Sequence, residues 1–262
     1  MKSPRCLIFD IETAPITAYV WGLYDQNIGL NQIKADWTIL AWSAKWLGSP
    51  KKEVLYMDNR NKKNVHDDKE LIFGLWKLLN EADVVISQNG DKFDIKKFNA
   101  RAAIQGLSPV RPFKSTDTLK ESRKVFGFTS HSLEYMSGAL NKKYKKLKHK
   151  EYPGFELWKA VLSGNKRAWA EMKTYCVHDV LATEELYTNI QGWIKTQDVS
   201  SYIDDAVIRC KCGSTDLRKQ GYAHTDLGKY QQYQCKACGK WPRSSVNILS
   251  KERKQTILRD RK

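Results

Sequence analysis

The chain has no run of eighteen apolar residues, so it offers no stretch long enough to cross a bilayer as a helix. Its start, Met1-Lys2-Ser3-Pro4-Arg5, leads into only four apolar residues before Asp10. That is too few for a secretion signal, so an intracellular, cytoplasmic protein with no membrane partner is expected. No internal repeat and no low-complexity tract is present. Acidic side chains are scarce beside basic ones, 29 Asp and Glu against 45 Lys and Arg, for a formal charge of +16. In a reducing compartment the six cysteines suggest metal binding or isolated thiols before disulfides. At 41% hydrophobic and 28% charged, the 262 residues suit one large domain, or a medium one with a small appendage.

The positive charge is unevenly placed. Residues 206–262 carry 14 Lys and Arg against 4 Asp and Glu, a net of +10. A second concentration, Lys142 to Lys150, puts six lysines in nine positions. A solvated face is the bland reading of either run. A basic tail that also contains paired cysteines favours a polyanion, because phosphate backbones bind such surfaces by counterion release.

Hydrophobic pattern divides the first two-thirds into an α/β arrangement. Cys6 to Phe9, Trp37 to Trp46 and Val54 to Met57 read as strands joined by short connections, an antiparallel meander. Asp67-Asp68 is expected to cap a helix whose Leu71, Ile72, Leu75, Leu78 and Leu79 share one stripe. Ala82 to Ser87 is a short, continuously apolar strand of the buried parallel type, followed by Asn89-Gly90 and a helix from about Phe93 to Gln105. Shorter helices are expected over Ser130 to Leu140 and Gly154 to Leu162, and a long one from Gly164-Asn165 to about Ile194. Meander, then strand and helix in alternation, predicts a mixed sheet with helices on its faces.

Three motifs carry carboxylates. In Phe9-Asp10-Ile11-Glu12-Thr13 the two acids stand at i and i+2, on one side of a strand. In Asn89-Gly90-Asp91-Lys92-Phe93-Asp94 an aspartate follows the carboxyl end of a buried strand, where open α/β sheets place ligands. An N-cap is the simpler role for Asp94. In Thr174-Tyr175-Cys176-Val177-His178-Asp179 the tyrosine and aspartate, four apart, share a helical face.

Together, in this order, the three motifs resemble the DEDD exonucleases. The tyrosine-type branch is the nearest, with its ribonuclease H-like fold and its kinship to the proofreading domain of family B DNA polymerases. Tyr175 stands four residues before Asp179, as that branch requires, and Thr174 occupies the place of the other branch's histidine. The segments Ser115 to Leu119 and Ser132 to Tyr135 look like connecting segments of the family, and the resemblance covers roughly residues 4–195. It implies two Mg²⁺ or Mn²⁺ ions, with Asp10 bridging both, Glu12 and Asp179 holding the first, and Asp94 holding the second. Tyr175 would orient the attacking water. The implied reaction is hydrolysis of the terminal phosphodiester from 3′ to 5′, releasing nucleoside 5′-monophosphates. Hard oxygen ligands suit such ions, and four gathered carboxylates need cations among them. Asn89 and Phe93 either hold the strand end or shape the junction, and core packing is the favoured reading of the Phe93 ring. DNA, single-stranded, is favoured over RNA as substrate. A non-catalytic nucleic-acid-binding protein of the same fold and an RNA-processing exonuclease are the alternatives.

The remaining cysteines divide in two ways. Cys210-Lys211-Cys212-Gly213 and Cys235-Lys236-Ala237-Cys238-Gly239 form two knuckles, and together they predict a ribbon around one structural Zn²⁺. The first knuckle is one residue short, which leaves His224 as an outside candidate ligand. Gln220 to Gln234 between them reads as a hairpin, and Lys229, Lys240 and Arg243 offer a phosphate-contacting surface, with Tyr230 or Trp241 to stack on bases. The tail resembles the zinc ribbons that follow tyrosine-type exonuclease domains in some phage proteins, which implies nucleic acid or a protein partner as its ligand. Cys6 and Cys176 read as buried thiols. The expected division is an exonuclease domain over 1–197, a ribbon over 206–250 and a basic tail over 251–262.

Overall fold

A computed structural model of the protein describes residues 4–147 and 151–258, so the end of the Lys142 to Lys150 run and the last residues of the basic tail lie outside it. The chain divides into two compact units, one over Arg5–Asn189 and one from Ile190 onward.

In the first unit the elements are β1 (Cys6–Thr13), β2 (Thr17–Ala18), β3 (Ile33–Ala35), β4 (Ile39–Trp46), β5 (Leu55–Asp58) and α1 (Lys69–Glu81). They continue with β6 (Val84–Ser87), α2 (Asp94–Ile104), β7 (Lys114–Asp117), α3 (Thr118–Val125), α4 (Leu133–Leu140), α5 (Glu156–Leu162) and α6 (Lys166–Ile190). The five-stranded sheet runs β5-β4-β1-β6-β7. β4 pairs antiparallel with both β1 and β5, while β6 lies parallel to β1 and to β7. The sheet is therefore mixed, as the meander and the buried apolar strand predict. β2 and β3 form a separate two-stranded ribbon.

Period-two alternation along β1 sorts its side chains. Leu7, Phe9 and Ile11 join Trp42, Leu71, Leu75, Leu79 and Phe98 in the core shared with α1 and α2. Asp10 and Glu12 consequently share the opposite face, on the side where Ser43 of β4 meets Cys176 of α6. A second core on Ala14 and Leu40 packs Leu157 and Val161 of α5 against Trp169 and Met172 of α6.

Of the Asp67-Asp68 pair, Asp67 Oδ1 accepts the first amide of α1, from Lys69, at 3.3 Å, and Asp68 departs from expectation. Asp68 makes no side-chain cap on α1. Its fully buried carboxylate instead receives Arg101 Nε at 2.7 Å, a second Arg101 nitrogen at 2.8 Å and the Ile39 amide at 3.0 Å. Two charge-assisted bonds from one guanidinium outcompete a cap, and they tie α1, α2 and β4 together.

The second unit contains β8 (Leu217–Thr225), β9 (Gly228–Cys235), β10 (Arg243–Asn247) and the short α7 (Lys251–Gln255). Its sheet runs β10-β9-β8, all antiparallel, with the expected hairpin made by β8 and β9. Among the described residues no helix is long and apolar enough to cross a membrane.

Candidate metal centre and cysteine cluster

Three elements deliver the carboxylates to one cleft. Asp10 and Glu12 project from the end of β1, where a bulge between Glu12 and Thr13 shifts the register with β4. Bulges of this kind re-aim side chains beside functional sites. Asp94 opens α2, and its Oδ1 accepts the Ile11 amide at 3.1 Å, between the two β1 acids. Asp94 is thus not the N-cap that its position suggested. Asp179 comes from α6, one turn beyond Tyr175.

The four acids lie close enough to repel. Burial, then Asp94, Glu12 and Asp179 in that order, drives the Asp10 carboxyl well above the usual carboxylate range. Burial and Asp179 push Glu12 up to about 8, and burial raises Asp94 to about 7. Asp179 is also raised, because burial outweighs its contact with Lys146. That lysine places Nζ 2.9 Å from Asp179 Oδ2 and 4.9 Å from the centre of the Tyr175 ring. The tyrosine hydroxyl is raised by burial and by Asp179.

These residues fit divalent cations on an observation independent of sequence. Asp179 Oδ1 is buried and has no hydrogen-bond partner among the described residues. An orphaned carboxylate oxygen beside the buried Glu12 and Asp94 and the half-buried Asp10 is costly unless a cation accompanies it. All four donors are hard oxygens, suited to Mg²⁺ or Mn²⁺.

The loop before Asp94 is shaped for the same place. Asn89 adopts a left-handed backbone with φ of 66°, which a short polar side chain tolerates. Asp117 accepts the Asn89 amide at 2.9 Å and the Asp91 amide at 3.2 Å, and it also caps α3. A Cβ on Gly90 would come within 2.2 Å of Ser87 Oγ, so glycine lets the loop close. The Phe93 ring is 38% exposed, which overturns its expected core packing; its neighbour is Lys97, with Nζ 5.5 Å from the ring centre. Asn89 therefore shapes the junction through its backbone.

Sequence reasoning missed two members of this cleft. Lys146 was one of six equivalent lysines in a run, and only the fold selects it. Cys176 is the buried thiol expected, and beyond that it lies 3.9 Å from Asp10 Oδ2 and 3.3 Å from Ser43 Oγ, with its sulfur grouped with the oxygens of Asp10 and Glu12. The Y-C-V-H-D spacing, which puts Cys176 one turn before Asp179, was the available signal.

In the second unit the cysteines converge. Cys210 and Cys238 sulfurs are 3.6 Å apart, Cys212 and Cys235 sulfurs 3.7 Å apart, and all four lie within 4.8 Å of one another. Zn–S bonds of about 2.3 Å place tetrahedral sulfurs ~3.8 Å apart, so this set fits one Zn²⁺. The short knuckle closes through Gly213, at φ 88°, whose amide reaches the Cys210 carbonyl at 2.8 Å. The longer one closes one residue wider through Gly239, at φ 78°, whose amide reaches the Cys235 carbonyl four residues back at 2.9 Å. His224 sits on β8 opposite Lys229 and takes no part in the cluster. Lys229 lies over the Tyr222 ring at 4.0 Å and Arg243 over Tyr230 at 3.9 Å, while Trp241 is exposed. Lys240 is different: it turns inward to Thr196 Oγ1, and burial lowers its ammonium.

A mixed sheet flanked by helices, with acids gathered at the ends of β1 and β6, defines a ribonuclease H-like protein, and the model of the RNase H superfamily matches residues 7–191. The chain belongs to that superfamily. Among solved structures it is similar to the family B DNA polymerase from the hyperthermophilic archaeon Pyrobaculum calidifontis, at 15% identity and a TM-score of 0.52. The match covers 73% of this chain and 25% of the polymerase chain, and it speaks to fold. No curated protein matches the chain in sequence.

Proposed function

We propose that the protein is a metal-dependent 3′–5′ exonuclease of the tyrosine-type DEDD branch, acting on DNA in preference to RNA and releasing nucleoside 5′-monophosphates. The observation that supports this reading best is the gathering of Asp10, Glu12, Asp94 and Asp179 from β1, α2 and α6 around an unsatisfied buried oxygen. Two bound divalent ions would supply an activated water and charge stabilisation for the leaving oxygen. Asp10, Glu12 and Asp179 would hold one ion and Asp94, together with Asp10, the other; the Asp94 carboxylate is oriented by the Ile11 amide.

Tyr175 positions the water in this scheme rather than taking its proton. Burial and Asp179 hold its hydroxyl protonated, so it acts as an oriented hydroxyl. Lys146, paired with Asp179, supplies a fixed positive charge facing the same cleft. In the second unit Lys229 and Arg243 would meet phosphates and Trp241 would stack on bases, while Lys240 serves the interior of the ribbon instead. The working division remains chemistry in 1–197 and strand capture in 206–250, extended by the basic tail over 251–262.

End-labelled single-stranded DNA, duplex DNA and RNA incubated with Mg²⁺ or Mn²⁺ test the reading. Stepwise shortening from the 3′ end, fastest on single-stranded DNA and abolished in Asp94→Ala, is expected. Intact substrate with the wild-type protein and either ion would leave only a binding role.

A further inference from the structure

The Cys176 thiol lies inside the carboxylate cleft, and nothing in the hydrolytic scheme uses it. It stands three residues before Asp179 on α6, so the two side chains share a helical face. A buried thiol ordinarily packs as a small hydrophobe. This one is surrounded by oxygen. Its sulfur is 3.9 Å from Asp10 Oδ2, 3.9 Å from the Asp10 carbonyl oxygen and 3.3 Å from Ser43 Oγ. Ser43 is itself fixed, because its hydroxyl donates to the Cys176 carbonyl at 2.7 Å. The sulfur and one carboxylate oxygen from each of Asp10 and Glu12 all lie within 4.8 Å of one another. Asp179 Oδ1, buried and without a hydrogen-bond partner among the described residues, comes from the next turn of the same helix. Cys6, the other buried thiol outside the ribbon, joins no such group among the described residues.

We propose that Asp10, Glu12 and Cys176 form a site for a thiophilic divalent cation, Zn²⁺ foremost, and that such an ion excludes Mg²⁺ from the cleft. The inference rests on the nuclease reading and adds to it a control by metal identity. Zinc bonds of about 2.3 Å to sulfur and ~2.1 Å to oxygen place tetrahedral sulfur and oxygen ligands roughly 3.6 Å apart. The Cys176 to Asp10 separation of 3.9 Å is within a few tenths of an ångström of that spacing. As the metal–sulfur bond forms, the thiol proton passes to solvent. Mg²⁺ behaves differently, because it is hard, octahedral and bound through oxygen. A hard ion therefore uses the carboxylates alone and leaves the sulfur aside, whereas a softer ion gains the sulfur as an additional ligand. Both need Asp10 and Glu12, so the two kinds of ion are mutually exclusive.

The test is spectroscopic and needs no substrate. The full chain, its ribbon filled with Zn²⁺, is titrated with Co²⁺, which binds four thiolates more weakly than zinc and so leaves the ribbon's ion in place. One further Co²⁺ per chain is expected to bring up a thiolate-to-cobalt charge-transfer band. The band should be absent in Cys176→Ser, and excess Mn²⁺ should bleach it in the wild-type protein by taking Asp10 and Glu12. Zn²⁺ affinity at the cleft, measured against a chromophoric chelator, should fall at least about 10-fold in Cys176→Ser. Mn²⁺ affinity, followed by electron paramagnetic resonance, should stay the same, which shows that the variant's cleft is intact. Cys176→Ala gives the same comparison if the serine variant does not fold. No band in the wild-type protein, a band that survives loss of the thiol, or one that excess Mn²⁺ leaves untouched overturns the proposal. Nucleotide release with Mg²⁺ is scored separately on cobalt-free protein. A band without release would end the nuclease reading and keep the site, and release without a band would do the reverse.

Discussion

Asp94→Asn is expected to make the metal-free protein more stable while removing its activity. The native carboxyl is raised by burial from 3.8 to about 7, so at pH 8 it must ionise at a cost in the folded chain that it does not pay when unfolded. At ~1.4 kcal/mol for each pH unit this is on the order of 4 kcal/mol. Asparagine keeps an oxygen to accept the Ile11 amide and carries no charge, so the cost disappears with little change in contacts. For a unit of this size the gain corresponds to a rise in Tm of roughly 10 °C. The direction with pH follows from the raised acid. Between pH 3.8 and about 7 the folded chain holds a proton that the unfolded chain has lost, so native stability falls as pH rises through that window. At pH 5 the advantage of the substitution should therefore shrink to under about 2 kcal/mol. Thermal melts by circular dichroism at pH 5 and 8, without divalent ion and then with Mn²⁺, measure each quantity. Mn²⁺ should raise the wild-type Tm at pH 8 and narrow its gap to Asp94→Asn. Equal melting of the two proteins at pH 8 without metal would refute the claim that burial makes the Asp94 carboxylate costly in the metal-free fold.

Tyr175→Phe removes the orienting hydroxyl and keeps the ring, so kcat should fall about 100-fold with KM nearly unchanged in single-turnover and steady-state assays. A parallel rise in KM would mean that the tyrosine serves binding instead. Gly90→Ala puts a methyl group into Ser87 and should cost about 1–3 kcal/mol in denaturant melts, together with loss of metal affinity by calorimetry. Removing zinc with a chelator should release one Zn²⁺ per chain, detected colorimetrically. The β8–β10 amides should then lose their hydrogen-exchange protection while those of β1 and β6 keep it. Retained protection in the apo ribbon would show that its own core suffices.

The sheet was legible from its apolar runs: Cys6 to Phe9 in β1 and Val84 to Ser87 in β6 are both buried, and they lie side by side at its centre. The acids were legible because β1 and β6 end beside one another, and chemistry collects at such strand ends. What escaped the sequence were partnerships between distant residues. Asp68 carries every local mark of a helix cap, yet Arg101, more than thirty positions away, claims it. Asp117 looked like part of a connection, and it holds the Asn89 turn from 28 positions further along. Phe93 sits at helical spacing and looks like core, but spacing does not say which face of α2 the sheet covers. In the ribbon, one residue fewer in the first knuckle suggested a thiolate out of reach. A tighter turn, from the Gly213 amide to the Cys210 carbonyl three residues back, absorbs the difference, and all four sulfurs meet.

The acids and the lysine solve a single electrostatic problem in two states. Without cations, Asp10, Glu12, Asp94 and Asp179 cannot all be charged in so little water, and Lys146 offsets only one of them. The cleft then holds protons. Divalent ions bound in the cleft would let the same four groups shed those protons and would give Asp179 Oδ1 a partner. Loading should therefore release protons, most at pH values below the raised carboxyls and fewest well above them. Calorimetric titration with Mn²⁺ in buffers of different ionisation enthalpy counts them directly. About two or more protons released per chain at pH 6.5, with progressively fewer as the pH rises toward 9.5, is the expected pattern. A release independent of pH over that range would mean that the acids are already ionised in the metal-free protein. Their proximity would then have to be held by something other than protonation.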